Sequence, residues 1–392
     1  MENYIYMDNS ATTPVKEEVL HEMLPYFTTK YGNPSSIYSL GRQSKNAIEV
    51  SRERIAKVLN AKTNEIFFTA GGSEADNWAL KGIAFANKSK GNHIITSKIE
   101  HHGILHTCEY LEKQGFEITY LDVDEYGTID LKQLEESINS NTILISIMFA
   151  NNEIGTIQPI KEIGRIAKEN GVYFHTDAVQ AVGHVRIDVN EMNIDLLSLS
   201  AHKFYGPKGV GALYIRQGVK IDPLISGGAQ ERNRRAGTEN VPGIVGMGKA
   251  IELAYENLDE NNAKLIRLRD SMIKKIFDKI DYVRLNGHPI NRLPGNVNLC
   301  FEFIEGESLL LSLDMAGIAG SSGSACTSGT LDPSHVLLAI GLPHEIAHGS
   351  LRLSLGDFNT EEEVDYTVEK IEEIVARLRS MSPLYENVKE VK

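Results

Sequence analysis

Between residues 65 and 203, short β-branched or aromatic runs alternate with helical patterns, and this alternation constrains the chain more than any other feature. Runs at 65–69, 92–96, 117–121, 142–146 and 172–175 read as strands, and the spacing predicts helices over 73–87, 102–114, 131–138 and 160–170. Strands apolar on both faces need cover on both, and a helix after each strand supplies it. The pattern therefore argues for an α/β fold with a mostly parallel sheet. From 241 to about 280 the pattern is continuously helical and reads as a spine between domains. A strand at 296–303, a helix from Glu307, a Gly/Ser loop, a strand at 350–354 and a helix beginning at Thr360 then make a smaller α+β domain.

Two buried runs deliver chemistry. The run 172–177 brings Asp177 to a strand's carboxyl end, and the run 195–203 brings Lys203, followed by the rigid turn Phe204-Tyr-Gly-Pro-Lys-Gly. An acid and an amine so placed suit pyridoxal phosphate, which needs a lysine for a Schiff base and a carboxylate to keep its ring nitrogen protonated. A phosphate needs backbone N–H groups at a strand-to-helix turn. Phe68-Thr-Ala-Gly71-Gly72-Ser73-Glu-Ala-Asp76 fits, with Ser73 expected to cap the helix and face Asp76 as a capping box; Gly-Gly-Ser alone would equally suit a plain capped turn.

Ser200 and His202 flank Lys203 within reach of the same phosphate, although either alone is more often a hydrogen-bonded structural residue. His101 lies in a strand-to-helix loop where its ring can cover the cofactor and its nitrogen can move protons; His102 beside it fits a cap or surface role. Asn152 can orient a cofactor oxygen or a substrate carboxylate, and the Asn151-Asn152 pair alone reads as a turn. Arg232-Asn-Arg234-Arg235 suits either a solvated turn or a phosphate-facing segment.

The formal net charge of −13 disfavours nucleic acid or an anionic membrane as a generic partner. The amino terminus lacks a signal-peptide pattern, and no apolar run reaches the length of a membrane span. Three cysteines, at 108, 300 and 326, are too few for a disulfide framework and point to a reducing cytoplasm.

Together these segments resemble the pyridoxal-phosphate-dependent cysteine desulfurases of the nitrogen-fixation and iron–sulfur type, within the class V aminotransferases. The resemblance runs through Tyr6-Met-Asp8-Asn9-Ser-Ala-Thr-Thr-Pro14, Tyr31-Gly-Asn-Pro-Ser-Ser36, Asn151-Asn-Glu-Ile-Gly155, Ser198-Leu-Ser-Ala-His-Lys203, residues 231–240, Ser322-Gly-Ser-Ala-Cys326 and Ser350-Leu-Arg352-Leu-Ser-Leu-Gly356. Tyr38, where His is common, and Ser226-Gly-Gly-Ala-Gln230, where glycines are more uniform, depart from the pattern; they bear on the substrate channel and dimer contacts, not the reaction.

The resemblance implies fold type I, with a large cofactor domain over 15–258 holding a mostly parallel seven-stranded sheet and a small domain over 1–14 and 259–392. It gives Lys203 the cofactor and the substrate α-proton, and Asp177 and Gln180 the ring nitrogen and phenolic oxygen. His101 stacks on the ring. Gly72, Ser73, Ser200 and His202 hold the phosphate, joined by Thr238 from the partner subunit of a homodimer. Arg352, helped by Asn152, takes the carboxylate of L-cysteine.

Cys326, in a polar Gly/Ser stretch unsuited to a core, is the expected nucleophile; it holds the sulfur as a persulfide for transfer to an iron–sulfur scaffold or another sulfur acceptor. No metal is required, though Cys326 could ligate a cluster during transfer. Cys108 and Cys300, in apolar elements, suit the core. The tail 381–392 suits a docking segment or a frayed end equally. Three alternatives stay open: a selenocysteine lyase, an aminotransferase or decarboxylase on the same fold, and a silent binding protein that would have no need of Lys203, Asp177 or Arg352.

Overall fold

The computed structural model describes residues 4–322 and 333–389. Strand β1 (Ile5–Tyr6) opens the chain. The central sheet takes β2 (Ile66–Thr69), β3 (His93–Ser97), β4 (Glu117–Leu121), β5 (Thr142–Ser146), β6 (Tyr173–Asp177), β7 (Leu196–Ser200) and β8 (Gly211–Ile215). Its order is β2-β8-β7-β6-β5-β3-β4, seven strands with every pair parallel except the two that β8 makes.

β8 does not stand out from the sequence, because its place is set by pairing across the chain: Ile66 with Tyr214 on one side, Leu196 with Ile215 on the other. The helices Gly72–Ala86, His102–Glu112, Leu131–Ser137 and Ile160–Glu169 fall within a few residues of expectation. In the last of these, Ile160, Ile163, Gly164, Ile166 and Ala167 are buried, the i, i+3, i+4 spacing of a single apolar stripe. Each isoleucine so buried contributes roughly 1.5–3 kcal/mol.

Two expectations need correction. The helical stretch after 241 is two helices, Val241–Glu256 and Leu258–Lys279, broken at Asn257, where the backbone leaves helical geometry (φ −117°, ψ 21°). Asp259 and Glu260 then occupy the first turn of the new helix, where its dipole favours them. The lysine-bearing strand also stops at Ser200, and Ala201–Lys203 form a turn of 3₁₀ helix.

Beyond the spine come β9 (Val283–Leu285), β10 (Asn296–Phe301), β11 (Ile318–Ala319) and β12 (Ser350–Ser354). β12, β10 and β9 form an antiparallel sheet. Its apolar face joins Leu265, Leu268 and Met272 of the second spine helix and Val364, Val368 and Ile371 of the helix Glu361–Ser380 in one core. That last helix opens on a capping box between Thr360 and Glu363. The amino-terminal segment packs here too: β1 pairs in parallel with β11, and Asp8 bridges to Ser354.

Candidate active site

In a parallel sheet all carboxyl ends lie on one side, where an α/β fold opens its crevice. β6 ends on Asp177 and β7 on Ser200, and their register sets Asp177 beside Ser198. The turn after β7 projects Lys203 into the same space. A cavity of about 290 Å³ there is lined by Gly72, Ser73, His101, Asn152, Asp177, Gln180, Ser200, His202, Lys203 and Arg352. Of the described site residues expected from sequence, only Thr238 is not among its lining. Thr238 lines a separate crevice with Phe68, Ala70 and Gly209. Cys326 lies outside the described residues.

Residues with no expected site role complete the wall. Ser10 and Ala11 present their carbonyls to Lys203 Nζ, the latter at 2.8 Å, and Ser10 O also accepts from Gln180 Nε2 at 2.9 Å. Tyr6 to Pro14 resembles the family strongly, but only the fold brings it back over the sheet.

The turn before the helix Gly72–Ala86 is built differently from the expected capping box. The N-cap is Gly71, without a side chain to cap, and it is Glu74 that closes the turn by accepting from Ala70 N–H at 2.8 Å. The first-turn amides thus remain for an anion. Gly72 is required by space, since a Cβ there would stand 2.7 Å from Val179 Cγ2. An open cavity of about 520 Å³ beside the turn adds Lys208 and Thr12 to Gly72, Ser73, Ser200 and His202. His202 Nδ1 lies 3.1 Å from Thr12 Oγ1, and burial, aided by Lys203 and Lys208, lowers its pKa to about 4, so the ring is neutral near pH 7.

Arg352 sits on β12 with its side chain 4% exposed. Its guanidinium donates to Asp8 Oδ1 at 2.9 Å and Asn152 O at 3.2 Å, while Nε has no partner among the described residues. The backbones of Ser321 and Arg352 bond to each other in both directions, so the segment toward Cys326 leaves from beside this arginine. On the far side of that segment, Ser334 donates to Glu153, the neighbour of Asn152.

The cavity wall includes buried acids, Asp177 and Asp76. Burial raises the pKa of Asp177, opposed first by the charge of His101, then by the Val179 N–H bond and Lys203. Asp76 is pushed well above the ordinary carboxyl range by burial and by the charge of Asp177. His175, bonded to Ser146 Oγ at 2.9 Å and Ser198 Oγ at 3.0 Å, is lowered to about 3 by burial. Its 3.8 Å approach to Asp76 is therefore a neutral contact and not an ion pair. His101 Nδ1 accepts Gly103 N–H at 3.0 Å, which ties the ring to the start of the helix His102–Glu112.

The arginines of the basic cluster after the sheet have acidic and aromatic partners within this chain. Arg235 bonds Glu74 through Nε at 2.8 Å, Arg232 approaches Glu49 at 3.6 Å, and Arg234 lies over the Phe67 ring. Cys108 and Cys300 are buried as expected; burial drives the first thiol's pKa far up and the second to about 11, so neither is a thiolate near neutrality.

The aminotransferase class-V family model matches residues 5–367. The chain belongs to that family. The cysteine desulfurase IscS of Methanosarcina thermophila is 66% identical over 380 residues, covering 97% of this chain and 94% of that one. A solved NifS-like protein superposes with a TM-score of 0.91 at 42% identity, covering 96% of this chain and all of the other. SspA, solved in complex with cysteine, gives a TM-score of 0.80 at 41% identity over 91% of this chain and all of that one.

Class-V members use pyridoxal phosphate, and the residues present fit it. The cavity combines a lysine, a buried acid, a histidine ring, an uncapped helix start and a buried arginine with a spare donor. Among the described residues no cluster of His, Cys, Asp and Glu suits a metal ion, and no helix is long and apolar enough to cross a membrane.

Proposed function

We propose that this chain is a cysteine desulfurase, converting L-cysteine to L-alanine and holding the sulfur as a persulfide on Cys326. The observation that carries the reading is the meeting of Lys203, Asp177, His101 and Arg352 around one cavity in a chain so close to cysteine desulfurases. Arg352, oriented by Asp8 and Asn152, binds the substrate carboxylate through the planar fork that suits it. Lys203 Nζ, held by two carbonyls of the amino-terminal segment, takes the α-proton. Bound here by Lys203, Asp177, Gln180, His101 and the turn at Gly72 and Ser73 with Ser200 and His202, pyridoxal phosphate would supply the electron sink.

The Cys326 thiolate attacks the substrate sulfur and the carbon–sulfur bond breaks. Protons return to carbon, giving alanine plus a Cys326 persulfide, so the atoms balance without an oxidant. Two buried, protonated thiols elsewhere leave Cys326 as the nucleophile. The working unit is a homodimer in the cytoplasm in which Thr238 reaches the partner's cofactor phosphate, and the acceptor is an iron–sulfur scaffold or another thio-cofactor protein. We also place the large domain at 15–258 and the small one at 1–14 with 259–392, a division supported by the separate core around β10 and β12.

The test of the cofactor assignment is Lys203→Ala. It is expected to remove both the yellow absorbance of the purified protein and all alanine formation from L-cysteine. Retained colour with turnover would move the Schiff base elsewhere.

A further inference from the structure

Residues 231–233 hold an unusual backbone. Glu231, Arg232 and Asn233, none of them glycine, have φ of 45°, 58° and 62°. L-residues avoid this region because Cβ crowds the following carbonyl, so three in succession are not held by their own preferences. What holds them is a buried ion pair. The Glu231 carboxylate receives both terminal nitrogens of Arg52 at 2.8 Å and the Phe68 N–H at 2.9 Å, and Arg52 also donates to Ile66 O at 2.6 Å.

A second clamp follows. Arg235 grips Glu74 through Nε at 2.8 Å and Nη2 at 3.0 Å, and Glu74 accepts from Ala70 N–H. Both clamps therefore end on backbone amides of the stretch 68–70, directly ahead of the turn at Gly71 and Gly72. Thr238 follows three positions after Arg235, beyond a glycine with φ of 111°.

We infer that Glu231 and Arg235 are positioning residues for the shared phosphate site: they mount the segment bearing Thr238, which a protomer lends to its neighbour, on that protomer's own phosphate turn. This rests on the reading of Thr238 given above. Neither side chain lines the cavity around Lys203 or the open one beside the turn; each acts through the geometry of the loop. The cost of the left-handed backbone is borne where the loop must keep one course across a subunit boundary.

The experiment uses holoenzyme dimers and measures loss of the yellow absorbance during gel filtration. Glu231→Gln, Arg235→Met and Thr238→Ala are each expected to release cofactor about tenfold faster than wild type, the loss of one well-placed bond. Mixed dimers with a Lys203→Ala subunit decide where the effect acts, because only the subunit retaining Lys203 gives the band. Glu231→Gln on the Lys203-bearing subunit should leave release at the wild-type rate, since its phosphate receives Thr238 from an intact loop. The same change on the Lys203→Ala subunit should speed release about tenfold.

A general loss of stability would affect both arrangements alike, and fast release only in the first would assign Glu231 to its own turn; either overturns the inference. If Glu231→Gln does not fold, Arg235→Met, whose side chain is less deeply buried than that of Glu231, gives the same two dimers. Fast release by Thr238→Ala alone removes the clamp and keeps the Thr238 reading, whereas wild-type release by Thr238→Ala removes both.

Discussion

Arg352 shows how a single side chain is made ready for its substrate. A guanidinium with 4% exposure would be costly alone, and Asp8 Oδ1 at 2.9 Å both offsets its charge and fixes its plane. Asp8→Asn keeps an acceptor oxygen but loses the charge assistance, a loss of about 1 kcal/mol, so the KM for L-cysteine should rise about fivefold with cofactor binding unchanged. Arg352→Lys, which cannot form a fork, should lower kcat/KM on the order of a hundredfold. Steady-state kinetics on both variants check this; an unchanged KM in Asp8→Asn would mean that Asn152 alone orients the guanidinium. Arg352 was legible because it stands in a recognisable stretch on a clear strand. Asp8 was not: its partner is 344 positions away, and the pairing of residues 7–10 with Ser354 joins them.

At the scale of elements, the ends of β3, β5, β6 and β7 trade stability for a buried polar layer. Glu100, past the end of β3, takes Ser97 Oγ at 2.6 Å and Met148 N–H at 3.0 Å, yet burial raises its pKa from 4.5 to about 8. The folded protein thus keeps this proton where the unfolded chain has lost it. Stability accordingly falls as pH rises from about 4.5 to about 8 and levels beyond, the sign expected for a raised carboxyl.

Glu100→Gln carries no proton to lose. The melting temperature of the variant relative to wild type should therefore climb across that window, whatever constant offset the new amide brings. Parallel profiles would show that Glu100 titrates normally. The strands that hold these groups were legible from their apolar runs, and the helices from their stripes. The cap at Gly71 was not, because Ser73 and Glu74 both suit the first turn and only the backbone course decides which of them closes it. The break at Asn257 was hidden by residues that favour helix on both sides of it.

At the scale of the molecule, the cavity is assembled from parts far apart in the chain. The amino-terminal segment supplies the Ser10 and Ala11 carbonyls, the large sheet supplies Asp177, the turn after it Lys203, and the small sheet supplies Arg352. Most of these were legible through motifs whose chemistry is local: a lysine after an apolar strand, an acid at a strand's end. Their convergence follows from long-range pairings, such as β1 with β11, that no local pattern reports.

The central claim is that cofactor and thiol divide the work, and it is tested most directly by mass spectrometry of the protein after exposure to L-cysteine. The account predicts one extra sulfur on the peptide carrying Cys326 and none on those carrying Cys108 or Cys300, with alanine released. In Cys326→Ala, L-cysteine should still change the cofactor absorbance while alanine and sulfide stay near background, because a sole nucleophile is worth orders of magnitude in rate. Desulfuration by Cys326→Ala at the wild-type rate, or the added sulfur on a buried cysteine, would contradict it.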